Sequence, residues 1–347
     1  MLQLNNTSPF AAEMFGLPDL DGVDHLYVVV KATFDITDRG LCVADEQQPV
    51  TLADEYFAEP GQSSLRYASQ AHLPKPGTDV VLIGDACAPR ERPVERVDVS
   101  VSVAGRSKSA WVHGDRHWTE GVGGIRPSQP RPFVRVPVVY ERTFGGTHVP
   151  DPDRDEYQAE PRNPVGCGFL GKRSARDLLG QPVPNVELPG ATVGAPATKG
   201  TPVGFGPIAP SWQPRSSHAG TYDEHWEQTR APFLPRDFDP RFFHVAPEPL
   251  LFPVPLRGGE PVVMLGFHPG GVQRFALPRC EFGVQATMGS HTESIELRLE
   301  TVMLEPTDER VSLSWRGALS ADKRMLRIEQ IAVALHELDG AHPRRTA

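Results

Sequence analysis

The sequence predicts an all-β protein: predominantly antiparallel sheets, sandwich-like or barrel-like, with a long Pro/Gly-rich irregular coat and a few short helices. Three observations carry this expectation. A two-residue apolar period recurs from Leu26 to Trp315, the alternation of strands with a buried face. Only one stretch, Thr221-Tyr222-Asp223-Glu224, carries a well-formed helix start. About half of the prolines fall between Gly145 and Pro255, where no period is sustained. Proline fixes φ and removes a donor, so that segment cannot be central sheet, and an ordered connection of such length coats a core or carries function. The expected organisation is a single domain over residues 1–347, with a strand-rich scaffold at 20–144 and 256–338 and the coat at 145–255.

In order along the chain, Leu26 to Ile36 predicts a strand near the sheet centre, with Leu26, Val28, Val30, Ala32, Phe34 and Ile36 on one face and Lys31, Thr33 and Asp35 on the other. Lys75-Pro76-Gly77-Thr78 is turn chemistry. Asp79 to Gly84 after it has the continuous apolar character of a strand covered on both sides. Val97, Val99, Val101 and Val103 alternate with polar residues, and Ala104-Gly105-Arg106-Ser107 turns the chain back.

Next, Gly114-Asp115 fits a two-residue turn in which Gly supplies the positive φ. That register pairs His113 with Arg116, Val112 with His117 and Trp111 with Trp118. It also places His113 and His117 on opposite faces, so their helix-like spacing does not make a metal pair.

Phe133 to Tyr140 alternates as a strand ended by Gly145-Gly146. Asp151-Pro152-Asp153-Arg154-Asp155 imitates an EF-hand start, but Glu156 and Arg162 stand where the loop needs Gly and Glu, which makes a solvated acidic turn the better reading. In the Thr221 box the hydroxyl is expected to cap a helix from Tyr222 to about Arg230, ahead of Pro232. Phe233 to Phe243 then packs four phenylalanines with Asp237 and Asp239 into one irregular run.

Toward the end, Val262–Phe267 and Val272–Leu277 predict a hairpin across His268-Pro269-Gly270-Gly271. Ile295 to Thr301 alternates and is answered by Val311 to Arg316. Leu326 to Leu338 suits both periods and is assigned to a strand.

Composition excludes several functions. A chain of 347 residues with 39% hydrophobic content can bury a sizeable core. Its net charge of -9, without a basic run, argues against nucleic acid or an anionic membrane as partner. No apolar run approaches the ~20 residues of a bilayer span, and Met1 to Asn6 lacks a basic signal region, so a cytoplasmic location is expected. Cys42, Cys87, Cys167 and Cys280 are scattered without a Cys-x-x-Cys pair, which points to reduced, mostly buried thiols rather than zinc or disulfides. There is no nucleophile elbow, P-loop or dinucleotide fingerprint, so neither an enzyme nor a cofactor is expected. A hydrolase using Asp237, Asp239, His218 and His225 is the competing possibility, and it requires the four to converge in one concave site.

The most specific stretches are Tyr140-Glu141-Arg142-Thr143-Phe144-Gly145-Gly146 and Asn163-Pro164-Val165-Gly166-Cys167-Gly168-Phe169. With them stand Lys31-Ala32-Thr33-Phe34-Asp35, Pro74 to Val80, Gly114-Asp115-Arg116, Gly204-Phe205-Gly206-Pro207, Ala219 to Asp223 and Asp237-Phe238-Asp239. In this order the set resembles a bacterial family, the domain-of-unknown-function 2169 family, encoded beside type VI secretion effectors and PAAR-like spike-tip proteins. The resemblance implies a non-catalytic adaptor or chaperone that holds a PAAR-like effector and delivers it to the VgrG spike. Many relatives carry C-terminal pentapeptide repeats, which this sequence lacks. The candidate partner-binding residues are Tyr140, Arg142, Phe144, Asn163, Phe169, Tyr222, Trp226, Phe238 and Phe242, because aromatics on proline-constrained loops make anchors with little ordering cost.

Overall fold

Strand Asp24–Thr37 is the spine of the fold. In the computed structural model, which describes residues 2–151 and 156–342, it pairs along its whole length with Arg310–Ser320. Its other edge is shared by Ala11–Pro18 and Gly40–Val43. These strands belong to an eight-stranded sheet in which Arg298–Glu305, Thr78–Leu82 and Leu251–Phe252 follow in that order on the far side of Arg310–Ser320. Thr78–Leu82 runs parallel to Arg298–Glu305, while most neighbours are antiparallel. The EF-hand-like reading falls on 151–155, of which 152–155 lie outside the described residues.

A five-stranded sheet has the order Val186–Glu187, Arg106–His113, Arg96–Val103, Pro261–His268, Gly271–Ala276. Its Arg96–Val103/Arg106–His113 hairpin turns at Ala104 and Gly105, whose φ of 48° and 81° suit a turn twisted to match the strands. A four-stranded sheet orders Gln3–Asn6, Gln330–Asp339, Arg279–Met288 and His291–Ser294. Valines, leucines and isoleucines from all three sheets join in one core, among them Val28, Val80, Val101, Val262, Val284, Val311 and Ile331. The expected all-β class holds: 46% of the residues are strand and 10% helical, and no sheet closes into a barrel.

The hairpin at 261–276, the pair at 298–316 and the strand from Gln330 are where the alternation places them. The spine differs in one respect: Thr33 is fully buried and Lys31 half-buried, because the segment after Ala44 covers that face. Gln47 exchanges hydrogen bonds with the Thr33 backbone, and Lys31 Nζ donates to Pro49 O at 3.0 Å.

Two expectations are corrected. Trp111 and Trp118 do not pair: Trp111 lies opposite Asp98 and Glu187, and Trp118 opposite Pro127. Gly114 carries no positive φ; its backbone is pressed against the next segment, so a Cβ there would lie 1.8 Å from Arg131 O, and its N–H donates to Glu95 O. The glycine serves close approach rather than reversal. His113 therefore meets Glu187, with burial pushing its pKa down to about 4, while His117 meets Ser128. In Phe133–Tyr140 only Arg135–Pro137 is strand, paired with Asp85–Cys87, and Tyr140–Arg142 is a 3-10 turn. Val136, Val138 and Tyr140 keep the alternate burial that the pattern expressed.

The segment 145–255 supplies short edge pairings, as its prolines require, but also Val203, Phe205, Val245 and Leu250 to the main core. The four cysteines are free, with Cys87 buried and the others half-buried. Burial pushes the Cys167 and Cys280 thiols up to about 12 and raises Cys87 as well. Iodoacetamide at pH 8 is thus expected to spare these three until the protein is unfolded, as mass spectrometry would read. Rapid native labelling of Cys167 would contradict this.

Candidate functional site

A cleft of about 610 Å³ opens in the Pro-rich segment, within the size range of ligand-binding clefts. Its apolar walls include Leu188, Ile208, Ala246 and Leu251, and its polar groups include Lys108, Arg162, Arg215, His218, Arg241, His244 and Glu248. Leu188 directly follows the edge strand Val186–Glu187 of the five-stranded sheet. Leu251 lies on the edge strand of the eight-stranded sheet, so the cleft sits where two sheet edges approach each other. Tyr140 forms part of the wall, with its ring edge-on to Trp212 at 5.3 Å. Gly204 permits that packing, since a Cβ there would lie 2.0 Å from the Tyr140 ring.

Beside the cleft, the two most specific sequence stretches fold onto each other. Phe144–Gly145 pairs in parallel with Cys167–Gly168. Asn163, with no exposed surface, donates from Nδ2 to Tyr140 O at 2.8 Å, Thr143 Oγ1 at 2.8 Å and Phe144 O at 3.0 Å. Gly145 and Gly166 leave room for it: a Cβ on either would lie 2.2 Å from Asn163 O or 2.4 Å from Asn163 Nδ2. Glu141 accepts from the N–H and hydroxyl of Ser64 at 2.6 and 2.8 Å. Arg142 pairs with Asp115 at 2.8 Å. Asn185 then ties Asp115 and the His113 carbonyl to this turn. The motif residues thus form a structural knot linking the scaffold to the coat.

The family model for DUF2169, described as an uncharacterized protein conserved in bacteria, matches residues 21–316. The chain belongs to DUF2169. No curated protein and no solved structure matches it. Among the described residues no helix of this DUF2169 chain is long and apolar enough to cross a membrane, and no group of three or more His, Cys, Asp or Glu could hold a metal ion.

The DUF2169 structure separates the nine candidate partner residues. Tyr140, Phe144, Asn163 and Phe238 are buried by their own chain. Phe144 joins Trp118, Leu178, Val183 and Val193 in a satellite core. Phe238 packs its ring against Phe242 at 5.5 Å and Phe243 at 5.3 Å, so the proline turns bury this aromatic rather than present it. Arg142, Phe169, Trp226 and Phe242 are half-buried. Tyr222 is 52% exposed.

The helix is Glu224–Thr229, shorter than expected, and its cap is Asp223, whose carboxylate accepts from Trp226 N at 2.8 Å. Thr221 is drawn away because its N–H and hydroxyl both bond Asp237, at 3.0 and 2.7 Å. Asp239 accepts from Arg241 and lies 3.6 Å from His218. The hydrolase quartet falls into two pairs: His218 lines the main cleft beside Asp239, while His225 and Asp237 line a separate hollow of about 190 Å³. Hydrogen bonds from Thr221 lower the pKa of Asp237, and those from Arg241 lower that of Asp239, so neither carboxyl is held protonated.

What the sequence reading missed is a buried charge network behind the cleft. Asp79, fully enclosed, accepts from Lys75 Nζ at 2.7 Å, Val245 N at 2.8 Å and His244 Nδ1 at 2.8 Å. Arg316, also buried, meets Glu300 at 2.6 Å and the carbonyls of Gln70 and His72. The available signal was a carboxylate heading the apolar run Asp79–Gly84, since a charge in a doubly covered strand must find a partner.

Proposed function

We propose that this chain is a non-catalytic type VI secretion adaptor or chaperone, acting in the bacterial cytoplasm, that binds the PAAR-like domain of an effector and helps load it on the VgrG spike. The reading takes its class of partner from the resemblance of the motifs and its binding surface from the coat. The observation that carries the reading is an aromatic pair at the helix start: Tyr222, 52% exposed just ahead of the cap, meets the half-buried Trp226 edge-on at 4.7 Å, and Trp226 Nε1 donates to Phe233 O at 2.9 Å. Phe233, 36% exposed, carries Arg230 over its ring at 5.5 Å. Fixed aromatic anchors lose little entropy on docking and dominate interface energetics.

Co-purification of a PAAR-like effector domain with single variants tests this. Tyr222→Ala and Trp226→Ala are each expected to weaken the complex at least tenfold with thermal unfolding unchanged, the behaviour of anchors worth about 1.4 kcal/mol or more. Phe238→Ala is expected to act only through lost stability, because its ring is buried. Full binding by both surface variants would place the interface elsewhere, and failure of the wild-type chain to bind any PAAR-like domain would remove the reading.

A further inference from the structure

The polar face of the spine borders a second cavity, of about 160 Å³, between the eight-stranded sheet and the segment that covers it. Its floor follows a row of polar residues across four strands: Lys31 lies opposite Ser314, Ser314 opposite Thr301, and Thr301 opposite Asp79. Cross-strand partners share a face, so the row forms one continuous polar surface. Over it, Tyr67 Oη donates to Glu305 at 2.6 Å and Gln70 Nε2 to Ser314 Oγ at 2.5 Å. Glu55 is brought to the cavity by pairing with Tyr67. Pro49 and Glu55 are exposed and mark its open side, whereas Ser314, Val81 and Val245 are buried.

Four charged side chains line this cavity. Two are matched by the protein itself: Lys75 with Asp79 at 2.7 Å and Glu305 with Arg310 at 2.9 Å. Lys31 and Glu55 make no ion pair among the described residues, with each other or with any neighbour. An ammonium carries three donors, and the one partner of Lys31 Nζ is the neutral Pro49 O at 3.0 Å. Burial lowers the Lys31 pKa, and among the charges around it Glu305 and Glu55 oppose that shift, so Glu55 is felt by Lys31 without touching it. A partly desolvated cation and a carboxylate that face one cavity across a gap are complementary to a molecule carrying both opposite charges.

We propose that this cavity binds a small α-amino acid as its zwitterion, with the carboxylate on Lys31 and the ammonium on Glu55. The volume is that of about five waters, which admits a short side chain and excludes a large one. Val81 and Val245 give such a side chain an apolar wall. The site does not depend on the adaptor reading, and no partner protein enters its test.

Isothermal titration calorimetry of the full-length protein with glycine, L-alanine, L-serine, L-tryptophan, propionate and ethylammonium is the experiment. At least one of the three small amino acids is expected to bind and L-tryptophan to give no heat. Propionate and ethylammonium, each lacking one charge, should bind about tenfold more weakly than L-alanine or worse, the scale of a lost charge-assisted hydrogen bond. Glu55→Gln is expected to weaken the bound amino acid about tenfold and leave propionate unchanged, while Lys31→Met weakens both. Thermal unfolding checks each variant, and the exposed Glu55 keeps the test decisive if Lys31→Met does not fold. No heat with any small amino acid, as from a cavity holding only water, would overturn the proposal. So would L-tryptophan binding as tightly as L-alanine, or amino-acid affinity unchanged in Glu55→Gln.

Discussion

Asp79→Ala is expected to be among the most damaging single changes in this protein, lowering stability by about 3–5 kcal/mol, the range for removing one partner of a buried ion pair. Lys75 Nζ would stay behind with a side chain only 3% exposed, and the Val245 N–H would lose its acceptor. Thr301 Oγ1, at 3.0 Å, is the remaining neighbour of the ammonium and carries no charge. Urea denaturation measures the effect, and a loss below about 1 kcal/mol would mean that water or rearrangement compensates the lysine. The double variant Lys75→Met/Asp79→Leu should recover part of the deficit, because replacing both charges removes the uncompensated one.

The same site sets an acid limit. Burial alone would raise the Asp79 pKa, but Lys75 and His244 override it and hold the carboxyl at about 2. A folded value below the unfolded one gives stability that is present above about pH 4 and lost as pH falls toward 2. The contribution is about 2 kcal/mol. Asp79→Asn is expected to flatten the stability profile across that interval, read by unfolding midpoints at successive pH values. An unchanged slope would assign the acid sensitivity to other carboxylates.

Regular sheet was legible wherever one side of a strand faces water. Val97 to Val103 and Val262 to Phe275 announce themselves because polar and apolar residues must alternate there, whereas Val311 to Arg316 alternates although both its faces are covered, with Ser312, Ser314 and Arg316 buried. Local turn chemistry was less reliable, since it competes with contacts from elsewhere in the chain. Gly114-Asp115 reads as a reversal, but the backbone around Arg131 claims the space beside Gly114. Thr221 reads as a cap, but Asp237, sixteen residues on, takes its hydroxyl and leaves the cap to Asp223. The charge network was hidden for the same reason: Asp79 and His244 are 165 residues apart, and no local pattern joins them. The motif stretches were correctly singled out as distinctive, yet their residue types do not separate a knot from a contact surface. Only burial does so, and it moves Tyr140, Phe144 and Asn163 inside.

Asn163 makes that distinction measurable. Its Nδ2 faces two backbone carbonyls and the Thr143 hydroxyl, and Oδ1 is buried with no hydrogen-bond partner among the described residues. Asn163→Ala should cost about 2 kcal/mol, the scale of lost buried hydrogen bonds, softened because Tyr140 O still accepts from Thr143 N and Thr143 Oγ1. Asn163→Asp keeps the shape but turns the donor into an anionic oxygen aimed at two carbonyl oxygens, and is expected to cost about 3–5 kcal/mol at neutral pH. Such a carboxyl would be held above its ordinary pKa, so its neutral form is favoured in the folded state. The deficit of Asn163→Asp relative to wild type should therefore shrink as the pH is lowered toward 4, while that of Asn163→Ala stays level. Both variants should lose the proposed PAAR-like partner only in proportion to the fraction unfolded. If either binds poorly at a temperature where it is fully folded, Asn163 shapes the interface as well as the knot, and the link between the cleft wall at Tyr140 and the Phe144–Gly145 pairing becomes the route by which it does so.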